Sequence, residues 1–311
     1  MSKNKHKFLT FAALMTGATV AVHFINHTIA TAAQLKQMLH ISNDNYFEWR
    51  FGNIYYTKKG TGSPILLIHD TLPGASGYDE LAIDHTVYTV DLLGCGRSDK
   101  SSITYTNFVY VQMISDFIKK IIGQKTDVIA SGFSGSFVTM ACHNEKELFN
   151  KIMLVNPPSL TQLKQMPNRK DRLLKAALEI PIFGTLVYHM IVSRDNINNL
   201  FIEKMYYNPF HVDNQMADAY YEAAHKGGYY TRFLYSSLAA KYININICHA
   251  LKALDNSIYI VEGETEPNGK AVTDDYCASN PAIEVSVLKE TKHLPHVEAP
   301  EAFLEQVKIF F

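Results

Sequence analysis

Cysteine is scarce in this chain, and neither sign of charge is in excess. The sequence holds four cysteines in 311 residues, and 29 basic side chains face 30 acidic ones. The cysteines show no CxxC spacing, which argues against a zinc site and against a disulfide framework. A near-neutral chain without a basic block supplies no field that would hold a polyanion, so nucleic acid is not an expected partner. The four cysteines are Cys95, Cys142, Cys248 and Cys277.

The composition is that of a globular protein. Apolar residues make up 47% of the chain, and the formal net charge is -1, which excludes a disordered chain. A chain of this length buries a substantial core, either as one large α/β unit with an insertion or as two ordinary domains. The sequence shows no internal repeat and no low-complexity tract.

The first segment, residues 1–33, is compatible with three interpretations. The strongest part of its uncharged stretch from Phe8 to Ala33, residues 8–25, just reaches the roughly 17 to 25 residues of a transmembrane anchor, so we expect a membrane location. The alternatives are a secreted protein with a cleaved signal peptide, based on the A-x-A pattern Ala30–Ala32, and a terminal helix of a cytoplasmic protein. For an anchor, the basic residues before the stretch favour a cytoplasmic N-terminus and an external body. These residues are Lys3, Lys5 and Lys7.

The rest of the chain alternates strand and helix patterns. Residues 47–51 and 53–57 predict an antiparallel hairpin around Gly52. Short, mostly continuous apolar runs then predict parallel strands that are covered on both faces. Apolar residues between Val111 and Ile121 recur with a helical period and predict a helix packed on the sheet. The apolar runs are residues 65–68, 87–90, 128–130, 152–155, 258–261 and 285–288.

These patterns predict a doubly wound, mostly parallel α/β sheet with a helical cap insertion and an N-terminal apolar helix. The strand pattern stops near Ser159, and tyrosine-rich helical patterns continue to Leu251. We therefore divide the chain into an N-terminal segment (1–33), a first core part (34–158), a cap (159–251) and a second core part (252–311).

A serine lies in a tight turn between a predicted strand and a predicted helix. Residues 128–131 precede the turn Gly132-Phe133-Ser134-Gly135-Ser136, and a helical pattern follows. Such a turn holds the Ser134 backbone in a strained conformation, which requires small residues two positions before and after it. The hydroxyl would project above the sheet edge, and the Gly135 amide would face a developing oxyanion.

Four segments, in order, resemble the α/β-hydrolase family over residues 47–311. Residues 65–70 resemble its third strand and oxyanion loop, and residues 90–99 its D-x-x-G-x-G-x-S-D turn. Residues 132–136 resemble the nucleophile elbow, and residues 292–301 the catalytic-histidine loop. The resemblance implies a serine hydrolase with a helical cap and without a metal or organic cofactor.

The resemblance also implies the site residues. The family's triad follows the chain order serine, acid, histidine, which matches Ser134 as nucleophile and His293 as base. Gly135 and Thr71 fall on the positions whose amides form the oxyanion hole. Asp70 departs from the family pattern, which has glycine after His69, and a carboxylate near a developing negative charge is unfavourable unless it points away.

The acid position is less well defined than the other two. Glu266 falls where the family usually has an aspartate, and its extra methylene requires the loop to retreat. Asp274 and Asp275 are alternative acids, and a solvated loop carboxylate is the other interpretation of Glu266. Asn156, at the end of the preceding strand, is uncharged and cannot serve.

Several other polar residues favour structural roles. We expect His296 to be a packing histidine, although a role as the base is the alternative. Cys95 lies between two glycines of a turn and is expected to be structural. The polar residues of that turn are expected to tie it together; they are Asp91, Arg97, Ser98 and Asp99.

Two functions of different classes follow from the sequence. The first is hydrolysis of carboxylic esters or related small acyl substrates through an acyl-enzyme on Ser134, and carbon-carbon hydrolysis or perhydrolysis could use the same triad. An anchored protein would favour lipid-like esters. The second is a non-catalytic protein that binds a small apolar ligand under the cap. A serine at the elbow argues against dehalogenases and epoxide hydrolases, which need aspartate there. The oligomeric state does not follow from the sequence.

Overall fold

An eight-stranded, mostly parallel β-sheet forms the centre of the molecule. The structure, a computed structural model, describes residues 2–39, 45–69 and 79–311. The strands are β1 (Tyr46–Trp49), β2 (Gly52–Lys59), β3 (Ser63–Ile68), β4 (His85–Val90), β5 (Thr126–Ser131), β6 (Phe149–Val155), β7 (Ile258–Gly263) and β8 (Glu284–Leu288). Their order across the sheet is β1-β2-β4-β3-β5-β6-β7-β8. This confirms the predicted fold class.

The pairing follows the sequence patterns closely. β1 and β2 form the predicted antiparallel hairpin, β2 pairs antiparallel with β4, and all later pairs are parallel. The central strands β3 and β7 are buried nearly throughout, as continuous apolar runs require. β8 differs from the expectation of two covered faces. It is an edge strand, and Val287 on it is exposed.

The helices either cover the two faces of this sheet or form the N-terminal segment and the cap. They are α1 (Ser2–Ala33), α2 (Asn107–Phe117), α3 (Phe133–Asn144), α4 (Leu160–Leu163), α5 (Arg169–Leu178), α6 (Phe183–Ile191), α7 (Arg194–Leu200), α8 (Asn214–His225), α9 (Thr231–Ala239), α10 (Cys248–Ala253), α11 (Gly269–Ser279), α12 (Pro295–Glu298) and α13 (Pro300–Phe310). Side chains of α2, α3, α10 and α11 build the larger core on one face. α13 packs on the other face.

Short 3₁₀ and π segments connect several of these elements. One of them, the π turn Ile118–Ile122, continues the helix predicted between Val111 and Ile121 and ends at Gly123, whose φ is 73°. The 3₁₀ segments are Asp79–Ile83, Lys146–Leu148, Pro209–His211 and Gly228–Tyr230, and the second π segment is Phe201–Met205.

The cap is helical and has a small core of its own. Within the described range 159–251, all regular elements are helices. Ile197, Phe201, Tyr206 and Ala217 pack together there, and Leu294 joins this cluster from the loop that carries the predicted base. The cap core therefore reaches the residue next to His293. The domain boundaries given above stay a prediction.

The second half of α1 packs on the cap. The Asn26 side chain is buried and donates a hydrogen bond to the Ile182 carbonyl at 2.9 Å. Lys36 contacts Asp218 at 2.6 Å. No single helix in the described ranges has the length and hydropathy of a membrane span; α5 and α6 meet both criteria only together, across a bend of 102°. The predicted transmembrane helix is therefore not supported, because threonines and His23 interrupt its apolar run.

Candidate active site

The turn after β5 carries the predicted nucleophile. Gly132 has φ 55° and ψ -131°, a conformation that a residue with a Cβ rarely adopts, and α3 begins at Phe133. Ser134 therefore lies in the first turn of α3 and is completely buried. The positive φ of this turn is at Gly132 and not at Ser134, so the strain expected at the serine is taken up by glycine.

The Ser134 hydroxyl has a backbone partner. Its Oγ donates a hydrogen bond to the carbonyl oxygen of His69, at the end of β3, at 2.6 Å. A nucleophilic serine must give its proton to an imidazole. Catalysis therefore requires the Ser134 hydroxyl to turn from this carbonyl towards the base.

The predicted base and acid lie in contact. His293 Nδ1 is 3.2 Å from Glu266 Oε1 and 3.3 Å from Oε2. A carboxylate at Nδ1 fixes the ring tautomer that leaves Nε2 unprotonated, which is the state that a general base needs. Asp274 and Asp275 lie instead on α11 and are exposed. The structure thus brings Glu266, and neither alternative acid, to the histidine.

Asn156, excluded as an acid, has a positional role that the sequence did not indicate. It follows β6 with φ 44°, and its Nδ2 donates to the carbonyl oxygens of Lys292 and His293 at 2.9 and 3.0 Å. Its Oδ1 accepts the Gly263 amide at 2.9 Å. One side chain therefore connects the end of β6, the end of β7 and the histidine loop. The one sequence signal for this role is the position of Asn156 at the end of a predicted strand.

The cap also holds the histidine loop. The His293 amide donates to the Met205 carbonyl at 3.2 Å. Glu298 accepts the Lys292 amide at 2.7 Å with one oxygen and the cap amide of Tyr207 at 2.6 Å with the other. The position of the base is therefore coupled to the position of the cap.

Two buried groups lie beside the candidate triad, and burial shifts the pKa of each in the direction that favours its uncharged form. Burial lowers the pKa of His296 to about 3, and the ring packs edge-on against Phe303. This supports a packing role for His296. Burial raises the pKa of Glu262, and the nearby Glu266 carboxylate raises it further. Glu262 Oε2 has no hydrogen-bond partner, which also favours the protonated acid.

The oxyanion hole is defined only in part. The Gly135 amide donates to the Gly132 carbonyl at 3.1 Å, so an oxyanion would have to share or replace this acceptor. Asp70 and Thr71 lie outside the described residues. Their predicted effects on catalysis stay predictions.

The glycine-rich turn after β4 is held by its own polar groups. Asp91 Oδ2 accepts the Arg97 amide at 2.8 Å, and the Ser98 hydroxyl donates to the Asp91 carbonyl at 2.5 Å. Asp99 accepts the Asn53 amide at 2.7 Å, which ties the turn to β2. Cys95 is buried in the same turn. These contacts agree with the structural roles predicted for the turn.

Two cavities adjoin these elements. One, of about 260 Å³, lies between Phe133 of the elbow, Glu266 and His293. The other, of about 90 Å³, lies between the Cys95 turn and the cap, and cap tyrosines line it, namely Tyr188, Tyr220 and Tyr235. No cluster of three or more potential metal ligands occurs in the described parts of the chain.

Comparisons with known proteins agree with this architecture. Residues 65–306 match a family described as the alpha/beta hydrolase family. A 2-hydroxy-6-oxo-6-(2'-aminophenyl)hexa-2,4-dienoic acid hydrolase from Metapseudomonas resinovorans is 27% identical over 113 residues, which are 34% of this chain and 39% of that enzyme. The chain thus matches about two fifths of that relative's length.

Solved structures extend the likeness to nearly the whole chain. A bacterial membrane phospholipase A has a TM-score of 0.68 at 15% identity, over 98% of this chain and 97% of that one. A carboxylesterase from Bacillus subtilis has a TM-score of 0.63 at 13% identity, over 93% and 98%. At such identities, these structures show a shared fold.

Proposed function

The chain belongs to the alpha/beta hydrolase family, and from this premise we propose that it hydrolyses carboxylic esters or related small acyl substrates through an acyl-enzyme on Ser134. The observation that carries the proposal is the contact between His293 Nδ1 and Glu266, in a site that also contains the serine elbow. The esterase and phospholipase among the similar structures support a carboxylic ester as the substrate.

The proposed reaction has two halves that use the same groups. Ser134 Oγ attacks the carbonyl carbon as its proton passes to His293 Nε2, and the Glu266 carboxylate stabilises the imidazolium. The tetrahedral intermediate collapses, the bond to the leaving alcohol breaks, and the alcohol takes the proton from His293. Water then attacks the acyl-enzyme, and His293 again accepts and returns a proton, which releases the acid and restores Ser134.

Fluorophosphonate labelling tests the nucleophile without knowledge of the substrate. Wild-type protein should be labelled, and Ser134→Ala should lose the label and retain less than about 0.1% of short-chain ester turnover, with an unchanged circular dichroism spectrum. Ser136→Ala is the matched control, because Ser136 lies in the same turn and its hydroxyl donates to the Phe133 carbonyl. Persistent labelling of Ser134→Ala would contradict the assignment. An unlabelled wild-type protein that binds an apolar ligand would support the non-catalytic alternative.

Carbon-carbon bond hydrolysis is the second candidate. The matched relative from Metapseudomonas resinovorans is a hydrolase of a 2-hydroxy-6-oxo-dienoic acid, and that similarity favours this candidate. Turnover of such a dienoate, followed by loss of its visible absorbance, should be compared with turnover of p-nitrophenyl esters. A kcat/KM at least about tenfold higher for the dienoate would replace the ester proposal.

We also propose that the protein is associated with a membrane. The similar phospholipase is described as a membrane protein, and it matches 98% of this chain, which requires most of α1 to be included. The basic, then uncharged, N-terminal sequence supports the same location. Lipid-like esters are then the natural substrates.

A further inference from the structure

Residues 8–25 of α1 expose apolar side chains around the helix. Seven large apolar residues of this helix are between 45% and 71% exposed. At about 100° per residue they are distributed around the helix with no gap wider than about 120°. A neighbouring helix or groove covers one side of a helix, whereas a surrounding apolar medium covers all sides. The seven residues are Phe8, Phe11, Leu14, Met15, Val20, Phe24 and Ile25.

The polar groups of α1 are compatible with such a medium. The hydroxyls of Thr16 and Thr19 donate to the carbonyls of Ala12 and Met15 at 2.9 and 2.8 Å, within the helix itself. A hydroxyl satisfied in this way costs less to transfer into hydrocarbon than a free one. The sequence from Ser2 to Ala33 contains no acidic residue.

The helix meets the cap where a second exposed apolar surface begins. The bond from Asn26 to the Ile182 carbonyl lies directly before α6. On α6, Phe183, Val187 and Met190 follow at spacings of four and three, so they share one face, and they are 40%, 45% and 65% exposed. The apolar surface therefore continues from α1 onto the cap.

Aromatic side chains lie at this junction. The Tyr229 hydroxyl is 2.7 Å from His23 Nδ1, and the two rings are stacked at 5.7 Å. Tyr229 and Tyr230 are both partly exposed. Tyrosines with an apolar ring and a polar tip are typical of the boundary between hydrocarbon and water.

We propose that the seven exposed residues of α1 and the α6 face (Phe183, Val187 and Met190) form one lipid face, which contacts a bilayer and brings the cap against it. The proposal rests on the proposed ester hydrolysis and specifies its substrates as esters that reside in the bilayer. The occupant is a bilayer and not a second copy, because the seven exposed residues are distributed around α1, whereas a second copy would cover one side of it.

Vesicle flotation and ester turnover test the α6 part of the lipid face. Full-length protein is mixed with vesicles of phosphatidylcholine and phosphatidylglycerol that contain a fluorogenic diacyl ester, and a soluble short-chain ester is measured in parallel. Val187→Glu and Met190→Glu should each lower the vesicle-bound fraction, and the ratio of embedded to soluble ester turnover, by about tenfold. Ile309→Glu is the matched control, since Ile309 is 69% exposed on α13, away from the cap. It should change neither quantity.

The outcomes separate this proposal from the proposed function. If Met190→Glu behaves like Ile309→Glu in both measurements, the α6 face does not contact lipid. If the detergent-solubilised protein is a dimer that Met190→Glu dissociates, a second copy covers the face, and the proposal is wrong. Flotation does not depend on catalysis, so Ser134→Ala should float like wild type. Normal flotation without any ester turnover would contradict the proposed function alone.

Discussion

At the residue scale, Glu266 contacts His293 from a tight turn that follows β7. The Glu266 amide donates to the Gly263 carbonyl at 3.0 Å, and the Gly269 amide donates to the Glu266 carbonyl at 3.0 Å. These bonds keep the Glu266 backbone close to the end of β7, and the longer side chain spans the remaining distance to the imidazole. The retreat of the loop expected from a glutamate stays a prediction.

Replacement of the acid tests this geometry. Glu266→Gln should lower kcat by about 100-fold to 10,000-fold, because it removes the charge that stabilises the imidazolium and fixes the tautomer. Asp274→Asn and Asp275→Asn are the controls and should keep wild-type kcat, since both side chains are exposed on α11. Full activity in Glu266→Gln together with a loss in either control would place the acid elsewhere.

Glu262 contributes to the stability of the folded protein, and this contribution depends on pH. Burial raises the pKa of Glu262 in the folded protein above its ordinary value of 4.5, so the folded state holds a proton that the unfolded state has lost above that pH. The stability from this group is complete below pH 4.5 and is lost as pH rises through the folded pKa. Glu262→Gln, which cannot ionise, should therefore gain stability relative to wild type as pH rises.

Thermal unfolding midpoints at pH 4.5 and pH 8 measure this effect. The thermal midpoint of Glu262→Gln minus that of wild type should be higher at pH 8 than at pH 4.5. Asp275→Asn, which removes an exposed carboxylate of α11, is the control for the loss of one charge. An identical difference at both pH values would show that folding does not raise the pKa of Glu262.

At the scale of elements, two buried histidines join α6 to α8 in the cap. His189 and His225 stack in parallel with ring centroids 4.9 Å apart. His225 Nδ1 donates to the Tyr221 carbonyl at 2.8 Å, whereas neither His189 nitrogen has a hydrogen-bond partner. Burial, and then the neighbouring His225, lower the pKa of His189 to about 4. The contact between α6 and α8 is therefore made by neutral imidazoles.

Acidification should destabilise the cap through His189. The unfolded histidine titrates at 6.5 and the folded one at about 4, so stability falls as pH drops from 6.5 to 4. The loss from this residue reaches about 3 kcal/mol. His189→Phe keeps a ring in the stack and removes the titration, so its denaturant midpoint should fall less between pH 7 and pH 4 than that of wild type. His211→Phe, at an exposed cap histidine, should behave like wild type.

Continuous apolar runs predicted the strands well, because a strand buried on both faces must be apolar at every position. Residues 65–68 and 258–261 are such runs, and both lie within strands. Residues 285–288 lie in the edge strand β8, where one face is open to solvent. A mostly apolar run of four residues does not distinguish such an edge strand from an inner strand that is covered on both faces. Position within the sheet depends on long-range order and not on local composition.

At the scale of the whole molecule, the site was predictable where function requires a local motif. Ser134 and His293 each lie in such a motif, whereas Asn156 is defined by bonds to Gly263 and the histidine loop, more than 100 residues away. Contacts of this kind depend on the assembled sheet and leave no pattern in neighbouring residues. The hydrogen bond from the His293 amide to the Met205 carbonyl is a second example of such a contact.

On the membrane proposal, the N-terminal helix would determine where the whole molecule resides, and its two halves allow a clean test. Residues 8–20 contain five of the seven exposed large apolar side chains of α1, whereas Asn26 and Ala33 are buried against the body. Deletion of residues 1–20 should therefore release the protein from membranes without unfolding the cap. We expect full-length protein to sediment with membranes and to resist carbonate and high salt, and the truncated protein to become soluble with an unchanged thermal midpoint. A mature N-terminus at Ala33 in the soluble fraction would show a cleaved signal peptide, and intact protein in the cytosol would show a helix that only packs on the cap.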